Sequence, residues 1–399
     1  GPEKLASEAG LNMLKKGGNA IDAAVATGFA LAATLPRAGN IAGGGFMLVH
    51  LAESDKQVFI DYREMAPAGA SRDMFLNEDG TVNKRKAYNS VSAAGIPGTV
   101  AGLIHALENY GTLDLKTVIQ PAIDLAEQGF EVPAALHLNL RSAAKRLARN
   151  DEANRVYLGG TGTAPAMGSL FKQPDLAATL KRVRDKGFDG FYKGKTAELI
   201  AAEMQRGGGV MNADDLASYR AIEREPVRSS FRGYDIVSAP PPSSGGVHVS
   251  QILKLLEPYP IEEMGHNSAA YLHLLIESMK LAYADRSEYL GDPDRTEIPV
   301  KALTSDAYLD GRRTLIQDDV ATPSEVIKPG SVDDNESTET THFSIVDQFG
   351  NVVTNTYTIN FSFGSGSVET SLVVVHSASS ASGQTEARAR HTQHKRASY

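Results

Sequence analysis

The stretch AIDAAVATGFALAATL, residues 20–35, constrains the fold more than any other part of the chain. It is the nearest approach in the sequence to a continuous apolar run. Yet it carries Asp22, is rich in alanine and glycine, and falls short of the about 18 apolar residues that mark a membrane span. It therefore reads as a buried helix. A chain of 399 residues has the length to bury one. At roughly 150 residues per domain, two to three units or one large α/β body are expected.

Around this helix the sequence moves between helical and strand patterns. PEKLASEAGLNMLKKGGNA reads as an amphipathic helix with Leu5, Ala9, Leu11 and Leu14 apolar, two lysines at its carboxyl end and a Gly17-Gly18 stop. After residue 35 come a glycine-rich loop, a strand near 46–51, a turn at 53–56 and a strand near 58–62, the pattern of an antiparallel hairpin. From Gly98 helices dominate, including one over roughly 248–256 and a longer one over roughly 268–289. Alternation then returns. Thr341, Phe343 and Ile345 fall on one face and His342, Ser344 and Val346 on the other, before a DQFGN turn and a second strand that runs through Ile359. No internal repeat is found. From His376 onward apolar residues nearly vanish while histidine and arginine accumulate, which reads as a disordered tail and as the mark of a shifted reading frame or an unrelated extension.

Composition narrows the chemistry. A formal charge of -8 argues against nucleic acid as the main partner. The absence of cysteine removes disulfides, thiolate metal sites and a cysteine nucleophile. The first residues lack a basic region followed by an apolar core, so no signal peptide is expected within them.

The segment ESTETTHFSIVDQFGNVVTNTYTIN, 336–360, crowds hydroxyls at the mouth of a strand. A hydroxyl nucleophile needs a base within hydrogen-bond reach. His342 lies two residues along the strand from Thr340, roughly 6.6 Å at about 3.3 Å per residue, too far for easy proton transfer. The other candidate is the α-amine of Thr340 itself, free only if the chain is cut between Glu339 and Thr340. Its ordinary pKa of about 7.7 to 8.0 suits a base at neutral pH. On these grounds alone an ordinary strand entry is the favoured reading of TETT, since threonine is common in strands.

Longer stretches add a resemblance. GGNAIDAAVATGFALAATLPRAGNIAGGGFMLVH, DYREMAPAGASRDMF, GIPGTVAGL, APPPSSGGVH, YADRSEYLGDPD and TTHFSIVDQFGNVVTNTYTIN together resemble the γ-glutamyltranspeptidases, the γ-glutamyltransferase family of N-terminal-nucleophile hydrolases. The match runs in order from the start to about Gly366. It implies an α+β fold, an αββα four-layer sandwich of helices around two antiparallel sheets, incomplete at the carboxyl end. It also implies a large-subunit region over 1–339, the start of a small-subunit region over 340–366 and an atypical tail over 367–399. Thr340 matches the self-cleavage point, where its hydroxyl attacks the preceding carbonyl and the ester is hydrolysed, leaving Glu339 as the last residue of the large subunit. The same hydroxyl would then attack the γ-carbonyl of glutathione or another γ-glutamyl compound, and water or an amino-acid or peptide acceptor would resolve the acyl-enzyme. Thr358 matches a threonine that orients the nucleophile, Arg63 an arginine that grips the substrate α-carboxylate, and Asn360 a residue near the α-amino group. The resemblance implies no cofactor and no metal, and a periplasmic or secreted location.

Each residue has a plainer reading. Arg63, flanked by Asp61 and Glu64, fits a surface ion pair, and Asn360 fits turn chemistry. Gly43 to Gly45 suit a tight strand entry better than a phosphate cradle, because no Lys-Ser/Thr pair follows, and Ser243 to Gly246 read likewise. Asp285, Glu288, Asp292 and Asp294 lack metal-ligand spacing and read as a polar helix end. The family's acidic motif, serine pair and oxyanion-hole glycine pair are not found after Gly366. Since one oxyanion donor is worth roughly 2.7 to 4 kcal/mol, an inactive, uncut remnant with exposed sheet edges is one rival reading. A sibling acylase acting on glutaryl β-lactam amides is the other.

Overall fold

The computed structural model describes residues 1–327 and 340–364. Glu339, Gly366 and the 367–399 tail lie outside the described residues. The chain divides into two compact units, one built from residues 1–56, 60–222 and the described residues from Thr340 onward, the other from 57–59 and 223 onward to Ile327.

In the first unit, α1 (Lys4–Lys15) lies against α2 (Ala20–Thr34), and every residue of α2 is buried, as its all-round apolar sequence requires. The one charge in that run caps and ties the helix. The Asp22 carboxylate accepts hydrogen bonds from the Asn19 amide at 2.7 Å, the Thr112 amide and hydroxyl at 2.9 and 2.7 Å, and the Leu113 amide at 3.0 Å. α1 packs differently from the expectation. Its buried stripe is Ala6, Ala9, Gly10 and Met13, whereas Leu11 is 47% exposed. Small residues win the contact because the helices approach closely: a Cβ on Gly10 would lie 2.3 Å from the Thr27 hydroxyl and 2.9 Å from the Ala23 carbonyl.

Two short strands follow α2, β1 (Gly44–Leu51) and β2 (Lys56–Asp61), and helices Thr99–Tyr110 and Leu115–Gln128 also pack on it. β3 (Phe130–Glu131) and β4 (Leu170–Phe171) form a small ribbon. β5 (Ile222–Arg224) leads into the second unit, where β6 (Val227–Phe231) and β7 (Tyr234–Ser238) make a hairpin. The chain returns to the first unit as β8 (Thr341–Val346) and β9 (Val352–Thr358). The main sheet has the order β5-β2-β1-β9-β8, with β8 antiparallel to β9 and β9 antiparallel to β1. The pair 46–51 and 58–62 expected from sequence thus forms, with β9 and β8 added beyond β1. Among the described residues there is one large sheet, where a four-layer sandwich has two.

The faces of β8 follow the alternation. Thr341 and Phe343 are buried with Met47, Val49, Val353 and Tyr357, and the Tyr357 hydroxyl donates to the Gly28 carbonyl of α2 at 2.9 Å. His342, Ser344 and Val346 face outward. The DQFGN turn is closed by Asp347, whose carboxylate accepts from Phe349, Asn351 and, at 3.0 Å, the Ala20 amide at the start of α2. Burial pushes its pKa up, but these hydrogen bonds outweigh burial and hold it below the usual 3.8. The sign follows from linkage: a depressed folded pKa gives stability that is complete above the unfolded value and is lost as pH falls through the folded one. Asp347→Asn is expected to cost about 1.5 kcal/mol at neutral pH and to flatten the acid limb of stability, read by urea unfolding between neutral pH and acid.

In the second unit, helices Gly245–Leu256, Ala269–Tyr289 and Asp306–Arg313 enclose Leu255, Leu281, Ala284 and Leu309. Ser243 and Ser244 precede the first of these helices, with Gly245 and Gly246 in its first turn. Of the residues read as a polar helix end, Asp285 does lie in the last turns of Ala269–Tyr289. It is buried, 3.0 Å from Arg312 and 2.8 Å from the Gln251 amide, because a carboxylate taken from water needs paired donors. Asp294 instead takes both guanidinium nitrogens of Arg224, at 3.0 and 2.8 Å.

Candidate active site

The β8–β9 ladder sets Thr341 opposite Tyr357 and His342 opposite Thr356. Thr340 is exposed and immediately precedes β8, so the same register carried one residue further sets it opposite Thr358, the last residue of β9. Directly opposed residues of antiparallel strands hold their Cβ atoms about 4.5 to 5.5 Å apart, within reach of a hydroxyl–hydroxyl hydrogen bond. Thr358 is opposed on its other side by Gly44 of β1. Its hydroxyl oxygen accepts from the Asn360 amide at 2.9 Å. Asn360 has φ of 71°, a left-handed conformation that asparagine tolerates, so its turn chemistry is real and bends the chain directly beside Thr358.

The residues after Asn360 are anchored from afar. Phe363 is buried against Tyr157, with ring centroids 5.6 Å apart, and its amide donates to the Arg37 carbonyl at 3.1 Å. The Arg146 guanidinium donates to the carbonyls of Ser362 and Gly364. Nothing in the local sequence marks Arg146, which lies on helix Ala134–Leu147, far along the chain from the carbonyls it holds.

Arg63 follows the end of β2. Its side chain is 37% exposed, with Nε 3.9 Å from a Glu64 carboxylate that is only 4% exposed. The guanidinium lies over the Phe46 ring, 5.7 Å from its centroid. An isolated exposed ion pair is thus not what forms. Phe46 opposes Thr356, and Thr356 opposes His342, so these residues make one row across three strands. The next row on the same face is Gly44, Thr358 and, by the extended register, Thr340. Arg63 thus lies over one row of this face, Thr358 belongs to the next, and Asn360 follows Thr358 directly in a turn.

His342 is engaged elsewhere on that face. Its Nδ1 is 2.6 Å from the Thr356 hydroxyl and its Nε2 is 3.2 Å from the Ser344 hydroxyl. The glycines of AGGGF serve close approach, as expected: a Cβ on Gly45 would lie 2.3 Å from the Thr356 carbonyl.

Comparison with known proteins identifies the family. The family model described as Gamma-glutamyltranspeptidase matches residues 6–382. The glutathione hydrolase proenzyme of Escherichia coli (strain K12) is 47% identical over 363 residues, which cover 91% of this chain and 62% of that protein. The chain thus spans under two thirds of that relative's length. The Helicobacter pylori gamma-glutamyltranspeptidase crystal structure superposes with a TM-score of 0.81 at 44% identity, covering 83% of this chain and 94% of that one. A cephalosporin acylase from Bacillus halodurans superposes with a TM-score of 0.82 at 28% identity, covering 94% and 68%. With the N-terminal-nucleophile α+β fold and a family match over nearly its whole length, the chain belongs to the gamma-glutamyltranspeptidase family.

Proposed function

We propose that the protein hydrolyses or transfers the γ-glutamyl group of glutathione and related amides through Thr340. The observation that supports this reading is the β8–β9 register, which pairs Thr341 with Tyr357, so that one further step in the same register would set Thr340 against Thr358, on the face where the Arg63 guanidinium lies over Phe46. In this reading the chain is cut between Glu339 and Thr340, giving large and small subunits from one precursor. The freed α-amine takes the Thr340 hydroxyl proton as the oxygen attacks the γ-carbonyl, and returns it to the departing amine. Water or an amino-acid or peptide acceptor then resolves the ester. Thr358 orients the hydroxyl, the Arg63 fork binds the α-carboxylate, and Asn360 stands near the α-amino group. A periplasmic or secreted setting belongs to the same proposal.

The likeness to a cephalosporin acylase supports a second reading, glutaryl amide hydrolysis. Glutaryl and γ-glutamyl anilides share the carboxylate and differ only in the α-amino group, so their comparison separates the two. The γ-glutamyl substrate is expected to have the higher kcat/KM, and Asn360→Ala to shrink that preference about tenfold. A protein that prefers the glutaryl substrate is an acylase instead. An uncut chain inert toward both is a remnant.

A further inference from the structure

We infer that Tyr219 is a positioning residue for Arg63, holding the arginine's backbone so that its guanidinium meets the substrate carboxylate. The inference rests on the reading of Arg63 given above. The Tyr219 hydroxyl donates to the Arg63 carbonyl at 2.8 Å. Tyr219 is 2% exposed, and burial, with nearby tyrosine and carboxylate oxygens, drives its pKa well above the ordinary tyrosine value. Its hydroxyl is therefore a fixed donor at every working pH.

The ring is not free to swing away. It stacks on Tyr192 with centroids 5.7 Å apart, and Tyr192 stacks on Phe188 at 4.3 Å. The Tyr192 hydroxyl donates to the Pro97 carbonyl at 2.8 Å, which ties the stack to the GIPG loop. Gly98 of that loop leaves the space through which Tyr219 reaches: a Cβ there would lie 2.3 Å from the Tyr219 hydroxyl and 1.9 Å from the Tyr62 carbonyl.

A second tie comes from the same short helix, Ala213–Ser218. Its Asp215 carboxylate accepts from the Ala68 amide at 2.9 Å, so Tyr219 and Asp215 hold the segment from Arg63 to Ala68 at both ends. Between them Met65 is bridged to Ile96. At the start of the segment the Arg63 amide donates to Asp61 at 3.0 Å. Backbone ties before and after Arg63 fix the point from which its side chain runs over the Phe46 ring. Since removing a buried hydrogen bond loosens what it held, the effect should fall on carboxylate binding rather than on the acyl-transfer step.

The test uses the full-length protein and a pair of anilides, γ-glutamyl and 4-aminobutyryl, the second lacking only the α-carboxylate. Tyr219→Phe is expected to raise KM for the γ-glutamyl substrate about fivefold to tenfold, to leave kcat within about twofold, and to leave KM for the 4-aminobutyryl substrate unchanged. Asp215→Asn, which weakens the other tie, should give a smaller shift in the same direction, and it carries the test if Tyr219→Phe does not fold. Equal shifts on both substrates, or none, overturn the inference when Arg63→Ala shows the carboxylate-dependent loss. If Arg63→Ala treats both substrates alike, the reading of Arg63 fails and takes this inference with it.

Discussion

A Thr340→Ala chain is expected to stay a single polypeptide where the parent chain yields two, and to lose γ-glutamyl transfer by roughly 10⁴-fold or more. The substitution removes the hydroxyl and one methyl group from an exposed position just ahead of β8, so the fold has little reason to change. What it removes is the only group in the proposed scheme able to form both the ester with Glu339 and the acyl-enzyme. Thr340→Ser keeps the oxygen and should still be cut, more slowly, because without the methyl group its rotamer is less restrained. Intact mass and denaturing electrophoresis read the outcome directly. A Thr340→Ala chain that still gives a fragment beginning at residue 340 would assign the cut to another agent and sink the nucleophile assignment.

A large stability effect is expected at Gly45. Its alanine variant would set a Cβ 2.3 Å from the Thr356 carbonyl oxygen and 2.5 Å from the Tyr357 Cβ. Neither atom can yield cheaply. Thr356 is paired across to His342, and Tyr357 is buried and tied to α2 through Gly28. A cost of about 3 kcal/mol is expected, at the upper end of overpacking penalties, measured by chemical denaturation against the parent chain. Gly291, with open space around it, supplies the control and should move by only a few tenths of that as alanine. Because the strained contact separates β1 from β9 near Thr358, the Gly45 variant should also slow self-cleavage. Normal stability in Gly45→Ala would mean that β1 and β9 lie further apart than described.

How much of this was legible in the sequence depended on whether the signal was local. The β8 alternation and its turn were readable because one face is buried and the other is not, so the residues themselves record the period. The buried α2 was readable for the same reason. The apolar face of α1 was not: leucines at 5, 11 and 14 outvote the alanines and glycine by hydrophobicity, but close helix approach selects small side chains over large ones. Asp285 read only as part of a polar helix end, and its burial went unseen, because its partners, Gln251 and Arg312, lie far away along the chain. Tyr219 and Arg146 escaped entirely, the first acting through one long-range bond to a backbone carbonyl and the second through two, contacts that leave no pattern in the sequence. At the active site, residue chemistry carried the argument to a nucleophile with two candidate bases and left an ordinary strand entry standing beside it. The resemblance supplied the roles, and the register, extended by one step, is what supports pairing Thr340 with Thr358.

That register has a consequence at the opposite end of the hairpin. Val346 faces Val352 beside the turn, and the same count outward reaches Thr340 and Thr358. At about 3.3 Å per residue the turn stands roughly 20 Å from the hydroxyl whose partner it selects. Asp347 leaves the turn no slack, since it binds Phe349 and Asn351 within it and Ala20 beneath it. A residue gained or lost there would slide one strand past the other by a step and take Thr340 out of line with Thr358. Surface turns usually drift freely in length between relatives, but this one works as a gauge for the nucleophile and should tolerate substitution far better than insertion.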